Sequence, residues 1–185
     1  ACNVTFCHSD ADALWLRDPR PYMASLRHGL VFSQGTIAPT LLVAQWGFVL
    51  CQGFFLARPV PFAAHFFQRM MYEMLRIERW YKRLAGDAGD QDALNYAVKG
   101  MHVHWQLPQV LGTASLDMVM NPFVPGPEMA VHVNFTHFLK EVVGHFGNPQ
   151  RTFAMLPHHL VMRTPADTGP AAPLVLHLNF GPSKA

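Results

Sequence analysis

The chain is poor in charge and in cysteine. Only 14% of its 185 residues are charged, and the formal net charge is +2. A charge this close to zero gives no electrostatic basis for binding nucleic acid or an anionic membrane surface. The three cysteines form no C-x-x-C pair, which argues against zinc-knuckle and thioredoxin-type sites. G-x-S-x-G and P-loop signatures are also missing, so neither a serine hydrolase nor a nucleoside triphosphatase is supported.

Long hydrophobic runs are scarce as well. The longest, "LLVAQWGFVLCQGFFLA" over residues 41–57, lies at the short limit for a membrane span and is interrupted by Gln45, Gly47, Gln52 and Gly53. We therefore predict buried strands in this region, broken near Gly47 and again at Gln52–Gly53, and no membrane span in the chain. Half of the residues are hydrophobic, enough for a domain with a sizeable core.

Strand-like and helix-like patterns are mixed along the chain, which predicts an α/β fold. "NVTFCH", residues 3–8, alternates as a strand with Val4 and Phe6 on a buried face. Apolar residues at spacings of three and four predict a long helix over 62–84. We also predict a short helix within 86–100, capped by Asp87 or Asp90 and ended by Gly100. Further strands are predicted over 101–107, 130–135 and 174–180, and a further helix over 138–146.

An aspartate pair follows the first predicted strand. Asp10 and Asp12 stand at or just past its carboxyl end, which is where open α/β sheets place their ligands. Two carboxylates at positions i and i+2 can point the same way. Mg²⁺ or Mn²⁺ is commonly held by one or two carboxylates together with substrate phosphates. A structural turn or a helix cap is the alternative interpretation of the pair.

Four blocks of sequence, in order, resemble the nucleotide-diphospho-sugar transferases of glycosyltransferase family 77. They are "DADALWLRDP" (10–19), "CQGFFLARP" (51–59), "GDQDALN" (89–95) and "VHVNF" (131–135). The resemblance spans residues 4 to about 147. It implies a GT-A type, Rossmann-like mixed sheet flanked by helices. It also implies retaining transfer of a sugar from a nucleotide-diphosphate donor, with UDP as the expected nucleotide, to a glycan or glycoprotein acceptor.

The resemblance also assigns roles to particular residues. Asp10 and Asp12 would bind Mn²⁺ (or Mg²⁺) and, through it, the donor diphosphate, and His132 would complete the metal site. "LVLHLNF" at 174–180 repeats the pattern around His132, so His177 is a second candidate for the same role.

Further roles fall on the remaining blocks. Asp90 and Gln91 match an Asp-Gln pair expected against the sugar and the acceptor, and Lys140 would touch the diphosphate. Gly53 matches a glycine that lets a substrate approach the backbone. Arg17 and Asp18 would pin the loop that follows the aspartates.

The chain departs from the family at its front. GT-A domains open with a βαβ unit that binds the nucleotide base, whereas this chain starts on the strand that bears the aspartates. We therefore interpret residues 1–156 as the C-terminal part of a GT-A catalytic domain, incomplete at its N-terminus, and 157–185 as a proline-rich extension with a possible edge strand. A fragment of this kind would bind nucleotide poorly by itself.

Two other interpretations stay open. One is a non-catalytic remnant of such a domain, and the other is a phosphatase of the haloacid dehalogenase type, which also carries D-x-D after a strand. No acidic doublet follows downstream, which disfavours the phosphatase. If the transferase interpretation holds, the parent enzyme would be membrane-anchored in the Golgi or secretory lumen, a placement also suggested by N-x-T sequons at Asn3 and Asn134.

Overall fold

A computed structural model describes residues 3–35, 39–81, 89–119, 130–162 and 173–177. Its largest element is a six-stranded mixed sheet. With strands numbered along the chain, the order across this sheet is β1 (Phe6–Ser9), β4 (Leu50–Ala57), β3 (Leu30–Gln34), β9 (Asn148–Met155), β8 (Val142–Phe146) and β5 (His104–Gln106).

Two smaller sheets accompany it. A three-stranded sheet has the order β10 (Val161–Met162), β11 (Val175–His177) and β2 (Ala13–Trp15), and a two-stranded hairpin pairs β6 (Val110–Val119) with β7 (Ala130–Phe138). The helices in the described ranges are α1 (Arg20–Ser25), α2 (Thr40–Trp46), α3 (Pro61–Tyr81) and α4 (Asp90–Lys99). The α/β class and the arrangement of mixed sheets flanked by helices agree with the prediction.

The six-stranded sheet is buried on both faces because its central strands are apolar on both. Leu30 and Phe32 of β3 belong to a cluster with α3 and α4, whereas Val31 belongs to a second cluster with α1 and the three-stranded sheet. Strand residues alternate between faces, so the two clusters lie on opposite sides. The molecule is therefore layered, with α3 and α4 on one side of the sheet and α1 with the small sheet on the other.

Helix α3 confirms the long predicted helix over its described length. Phe66, Met70 and Ile77 are buried on one face, as the spacing predicts. Glu73 lies on that buried face at 5% exposure and is held by Arg69 (3.6 Å) and Arg76 (2.7 Å). Residues 82–84 of the predicted helix lie outside the described residues.

The apolar run at 41–57 is only half strand, so that prediction was wrong for residues 41–46, which belong to helix α2. Helix α2 follows Pro39 and ends at Gly47, whose φ of 81° lets its N–H bond back to the Val43 carbonyl at 2.8 Å. A short apolar run fits a buried strand and a buried helix equally well, and the left-handed glycine decides for the helix. None of the described helices is both long and apolar enough to cross a membrane.

The helix predicted over 138–146 is also wrong. Val142, Gly144 and Phe146 are buried while Val143 and His145 are half-buried, which is the two-residue period of a strand. This strand, β8, is hydrogen-bonded on both sides, to β9 and to β5. Apolar positions at 138, 139, 142, 143 and 146 fit helical spacing by coincidence, and pairing with distant strands overrides it.

Smaller differences concern element ends. The predicted strand at 3–8 is β1, but Val4 and Phe6 are 62% and 48% exposed because β1 is the edge strand of its sheet. The strand predicted over 101–107 is shortened to β5. Helix α4 ends at Gly100 as predicted, but its N-cap is Gly89 rather than Asp90, and Asp87 lies outside the described residues.

The described part of the C-terminal segment packs into the same core as the preceding residues. Strand β11 is the central strand of the small sheet, not an edge strand, because it pairs with both β10 and β2. Val161 and Val175 pack in one cluster with Leu56 and Ala154 of the large sheet. The described part of residues 157–177 is therefore continuous with the preceding structure.

His28 makes the stability of this fold dependent on pH. Burial lowers the pKa of His28, opposed by Glu141 and reinforced by the nearby His145 and Arg58. Its ring nitrogen Nδ1 lies 3.1 Å from Thr152 Oγ1. The unfolded chain therefore takes up the proton first as pH falls through the ordinary histidine range, and unfolding becomes easier.

We expect the free energy of unfolding to fall between pH 8 and pH 5, and His28→Gln to reduce that fall. Urea denaturation of both proteins at each pH measures the difference. His65, exposed on α3, provides the control, and His65→Gln should follow the wild-type pH dependence. A His28→Gln protein that loses as much stability as the wild type would contradict the assignment.

Candidate active site

One edge of the six-stranded sheet collects the carboxyl ends of three strands. β1 and β3 both run antiparallel to β4, and β9 runs parallel to β3, so β1, β3 and β9 end on the same side. β4 starts at this edge, and the N-terminus of α4 is hydrogen-bonded to it. Open α/β sheets bind ligands outside the carboxyl ends of their strands.

The aspartate pair lies in a tight turn at this edge. The Asp10 N–H donates to the Gly53 carbonyl at 2.9 Å, and the Ala13 N–H donates to the Asp10 carbonyl at 3.1 Å. The Asp10 Oδ1 lies 3.2 Å from His8 Nε2, and the His8 ring stacks on Phe55 with centroids 4.9 Å apart. Both Asp10 and Asp12 are exposed, so their carboxylates are accessible to a ligand in solution.

Gly53 lies in a bulge of β4 directly beside Asp10. Phe32 pairs with Phe55 and the next β3 residue, Ser33, pairs with Cys51, so residues 52–54 are extra on the β4 side. A bulge bends the strand and redirects its backbone, and such bulges are frequent next to active sites. The bond between Asp10 and Gly53 continues the β1–β4 register one residue beyond the Ser9–Phe54 pair, beside this bulge. The break between strands that the sequence predicts at Gln52–Gly53 is a bulge within one continuous strand, β4.

The start of α4 is clamped onto the start of β4 by two amide side chains. Asn95 is fully buried, and its amide accepts from the Leu50 N–H at 2.8 Å while donating to the Leu50 carbonyl at 2.9 Å and the Gln91 carbonyl at 2.8 Å. Gln91 accepts from the Gln52 N–H at 3.3 Å and donates to the Leu50 carbonyl. These bonds bring Gln91 next to the bulge that holds Asp10.

Asp90 occupies the first position of α4. It is exposed, and its Oδ1 accepts from the Gln91 N–H at 2.7 Å. The structure therefore brings Asp10, Gly53, Gln91 and Asp90 to one region, although the sequence separates them by up to 81 residues. Arg17 and Asp18 lie further along: Arg17 Nε donates to the Pro173 carbonyl at 3.2 Å, and Asp18 pairs with Arg20 at 2.9 Å. Both stabilise the loop after β2, as predicted for them.

The two candidate histidines lie in different places. The backbone of His177 pairs with that of Ala13, the residue directly after Asp12. His132 pairs with Asp117 in the β6–β7 hairpin. That hairpin contacts the sheet edge through Thr136, whose carbonyl accepts from Gln34 at 2.9 Å. His132 lies four residues, roughly 13 Å, further along β7 from this contact.

Lys140 is not brought beside the aspartates. It is exposed between β7 and β8, and β8 is separated from β1 by β4, β3 and β9. Four strand spacings amount to about 19 Å, more than a lysine side chain spans. A contact between Lys140 and a diphosphate held at Asp10 and Asp12 is therefore not consistent with the sheet order.

Several buried polar atoms at the same edge were missed by sequence reasoning. Ser33 Oγ, Gln34 Oε1 and Gln52 Oε1 have no hydrogen-bond partner among the described residues, although Ser33 and Gln34 are 0% and 1% exposed. Buried polar groups are nearly always satisfied in folded proteins, by protein, water or ligand. The signal in the sequence was the polar pair at the end of the apolar strand "LVFSQ".

His158 and His159 follow β9 at this edge, and His137 of β7 contacts them there through His158. His137 and His158 are buried with ring centroids 4.7 Å apart, and His159 is 7% exposed. Burial, reinforced by the neighbouring His158, lowers the pKa of His159, which favours its neutral form. The edge therefore carries hydrogen-bond acceptors, and an imidazole at His159 that burial keeps neutral more readily, suited to hydrogen-bonding a polar ligand.

The donor chemistry at the turn fits a hard divalent cation. Two accessible carboxylates two residues apart are oxygen ligands of the type that Mn²⁺ and Mg²⁺ take, with further positions left for phosphate oxygens and water. Within the described residues, no group of three histidine, cysteine, aspartate or glutamate side chains could hold a metal. The His177 side chain lies outside that description, so its participation is a proposal.

The two carboxylates lie at the carboxyl edge of a mixed α/β sheet, which is where open α/β sheets bind their ligands. The family model of the nucleotide-diphospho-sugar transferases matches residues 1–181. The chain therefore belongs to the nucleotide-diphospho-sugar transferase family, as predicted from the sequence. Assignment to glycosyltransferase family 77 and an incomplete N-terminal part stay predictions. No curated protein and no solved structure matches the chain.

The Asn95 clamp predicts a large loss of stability on substitution. Asn95→Leu leaves the buried Leu50 N–H without its side-chain acceptor, whereas the Leu50 carbonyl still accepts from Gln91. A buried group left unsatisfied costs about 1–3 kcal/mol, so we expect the free energy of unfolding to drop by about that amount. Urea denaturation measures it.

Gln45→Leu is the matched control, because Gln45 is exposed on α2. It should change stability by no more than about 0.5 kcal/mol. An Asn95→Leu protein as stable as this control would mean that the clamp does not hold α4 on β4.

Proposed function

We propose that the chain is the catalytic part of a retaining glycosyltransferase. It would move a sugar from a nucleotide-diphosphate donor, with UDP as the expected nucleotide, to a glycan or glycoprotein acceptor, with a divalent cation. The observation that carries this is the meeting of the Asp10–Asp12 turn with the Gly53 bulge and the start of α4 at the carboxyl edge of the sheet. Membership of the family supports sugar transfer, and the resemblance to family 77 supports retention.

Asp10 and Asp12 are the proposed metal ligands. Their carboxylates are exposed on a turn that is fixed by main-chain hydrogen bonds at both ends, so little ordering is needed when a cation binds. His8 contacts Asp10 Oδ1 and holds that carboxylate from its own strand. When bound, Mn²⁺ or Mg²⁺ would act as a Lewis acid and neutralise charge on the departing nucleoside diphosphate.

We propose His177, rather than His132, as the third ligand. Its backbone lies in register with Ala13 on the neighbouring strand, one residue from Asp12. Of the two candidates, His177 is the one whose strand pairs with the segment directly after the aspartate turn, and this register supports the proposal. His132 has no comparable connection to the turn, since its ladder partner is Asp117.

Asp90, Gln91 and Gly53 have distinct proposed roles. The carboxylate of Asp90 is accessible at the N-terminus of α4 and is the candidate group to contact the transferred sugar or the acceptor hydroxyl. Both atoms of the Gln91 amide bond the β4 backbone, so Gln91 positions Asp90 and the bulge. Gly53 lets the substrate approach the main chain beside Asp10.

We also propose that the enzyme works in the lumen of the Golgi or secretory pathway. This rests on the resemblance to family 77 and on the sequons at Asn3 and Asn134. Lys140 is left out of the proposed diphosphate site because of its distance across the sheet.

Calorimetric titration of UDP in the presence and absence of MnCl₂ tests the proposal. We expect binding that depends on Mn²⁺, is abolished by Asp12→Asn and is weakened at least about tenfold by His177→Ala. Asp12→Asn keeps the size of the side chain and removes its charge, so a loss reports the metal site.

His132→Ala is the matched control for His177→Ala and should bind UDP like the wild type. The opposite pattern, with His132→Ala defective and His177→Ala normal, would return the ligand role to His132. Undiminished Mn²⁺-dependent binding in Asp12→Asn would refute the metal assignment. If UDP does not bind with any divalent cation, the aspartates form a structural turn and the chain is a non-catalytic remnant.

A further inference from the structure

The aspartate turn joins two different sheets. β1, which ends at Ser9, belongs to the six-stranded sheet, whereas β2, which ends at Trp15, belongs to the three-stranded sheet. The two strands do not pair with each other in either sheet. The geometry of the two carboxylates between them therefore depends on what holds the ends of the turn together.

A relay of hydrogen bonds crosses the turn. The Trp15 indole N–H donates to Ser9 Oγ at 2.9 Å, and the Ser9 hydroxyl donates to the Asp10 carbonyl at 3.2 Å. The same Asp10 carbonyl accepts from the Ala13 N–H at 3.1 Å. Trp15 thus reaches, through one hydroxyl, the main chain of the residue that carries the first carboxylate.

Packing alone does not require a tryptophan at position 15. The ring is 45% exposed and meets Phe54 edge-on with centroids 5.9 Å apart. A phenylalanine would supply that contact, but it has no N–H to donate. The feature particular to Trp15 is its indole N–H, which donates a hydrogen bond to Ser9 Oγ.

We propose that Ser9 and Trp15 are positioning residues that fix the Asp10–Asp12 turn for cation binding. The inference rests on the proposed metal role of the aspartates. Groups that orient metal ligands change metal affinity by about 10–100-fold when they are removed. The indole of Trp15 and the hydroxyl of Ser9 act as one unit, so removing both costs no more than removing either.

The test is the Mn²⁺ affinity of the intact chain in the presence of UDP, measured by electron paramagnetic resonance of free Mn²⁺. Ser9→Ala and Trp15→Phe should each weaken Mn²⁺ binding by about tenfold, and the double variant by the same factor. Ser9→Thr keeps the hydroxyl and should restore wild-type affinity. A residue that only stabilised the fold would lower the unfolding midpoint without changing the affinity of the folded protein.

Trp105→Phe is the matched control. It also removes an indole N–H, but that N–H is buried without a hydrogen-bond partner among the described residues, in the core on the α3 and α4 side of the sheet. We expect its Mn²⁺ affinity to equal that of the wild type. Proton NMR of the indole N–H groups gives a readout independent of metal affinity. The Trp15 indole proton should exchange slowly with solvent in the wild type and faster in Ser9→Ala.

The outcomes separate the two proposals. If the wild type binds Mn²⁺, Asp12→Asn does not, and Ser9→Ala and Trp15→Phe bind like the wild type, the positioning role is wrong and the proposed function stands. If the losses of Mn²⁺ affinity in Ser9→Ala and Trp15→Phe added up in the double variant, the two side chains would not act as one unit. If the wild type binds no Mn²⁺ with UDP, the proposed function fails and this inference fails with it.

Discussion

The hydrogen bond between the Asp10 N–H and the Gly53 carbonyl is the contact on which the site depends. It attaches the end of an edge strand to a bulge in its neighbour, and that bulge is the place where β4 leaves its register with β3. The bond continues the β1–β4 register one residue beyond the Ser9–Phe54 pair, so the Gly53 carbonyl faces β1 while the other edge of β4 shifts its register with β3. The accessible carboxylates, the start of α4 and the small sheet are all arranged around this junction.

Buried packing keeps the junction rigid. β3 and β4 are covered on both faces by apolar clusters, and the fully buried Asn95 ties α4 to the main chain of β4 only two residues before the bulge. Such a side chain has no low-energy alternative, because its partners would be left unsatisfied in the interior. The exposed part of the site therefore rests on elements that have little freedom to move, which favours a preorganised cation site.

Local sequence was enough to identify the parts of the site but not to choose among them. The aspartate pair and the start of α4 could be predicted because strand alternation, carboxylate spacing and a glycine before an acidic helix start are local signals. The choice between His132 and His177 could not, since the same six-residue pattern surrounds both. Only the pairing of β11 with β2, across more than 150 residues of sequence, sets one of them beside Asp12.

The wrong secondary-structure predictions have the same origin. Apolar residues within 41–46 and 138–146 stand at spacings that fit either a helix or a strand. The outcome is decided by a left-handed glycine in the first case and by pairing with two distant strands in the second. The bulge at 52–54 and the buried polar atoms of Ser33 and Gln34 are also products of strand register. The sequence indicates them only in part, through the break predicted at Gln52–Gly53 and the polar pair that ends "LVFSQ".

The most direct test of the account is an anomalous diffraction map, recorded at the manganese edge, from crystals of the chain grown with MnCl₂ and UDP. We predict a single strong peak within bonding distance of a carboxylate oxygen of Asp10 or Asp12 and of the His177 ring. A peak at the β6–β7 hairpin beside His132, or none at the aspartate turn at saturating Mn²⁺, would contradict the site described above.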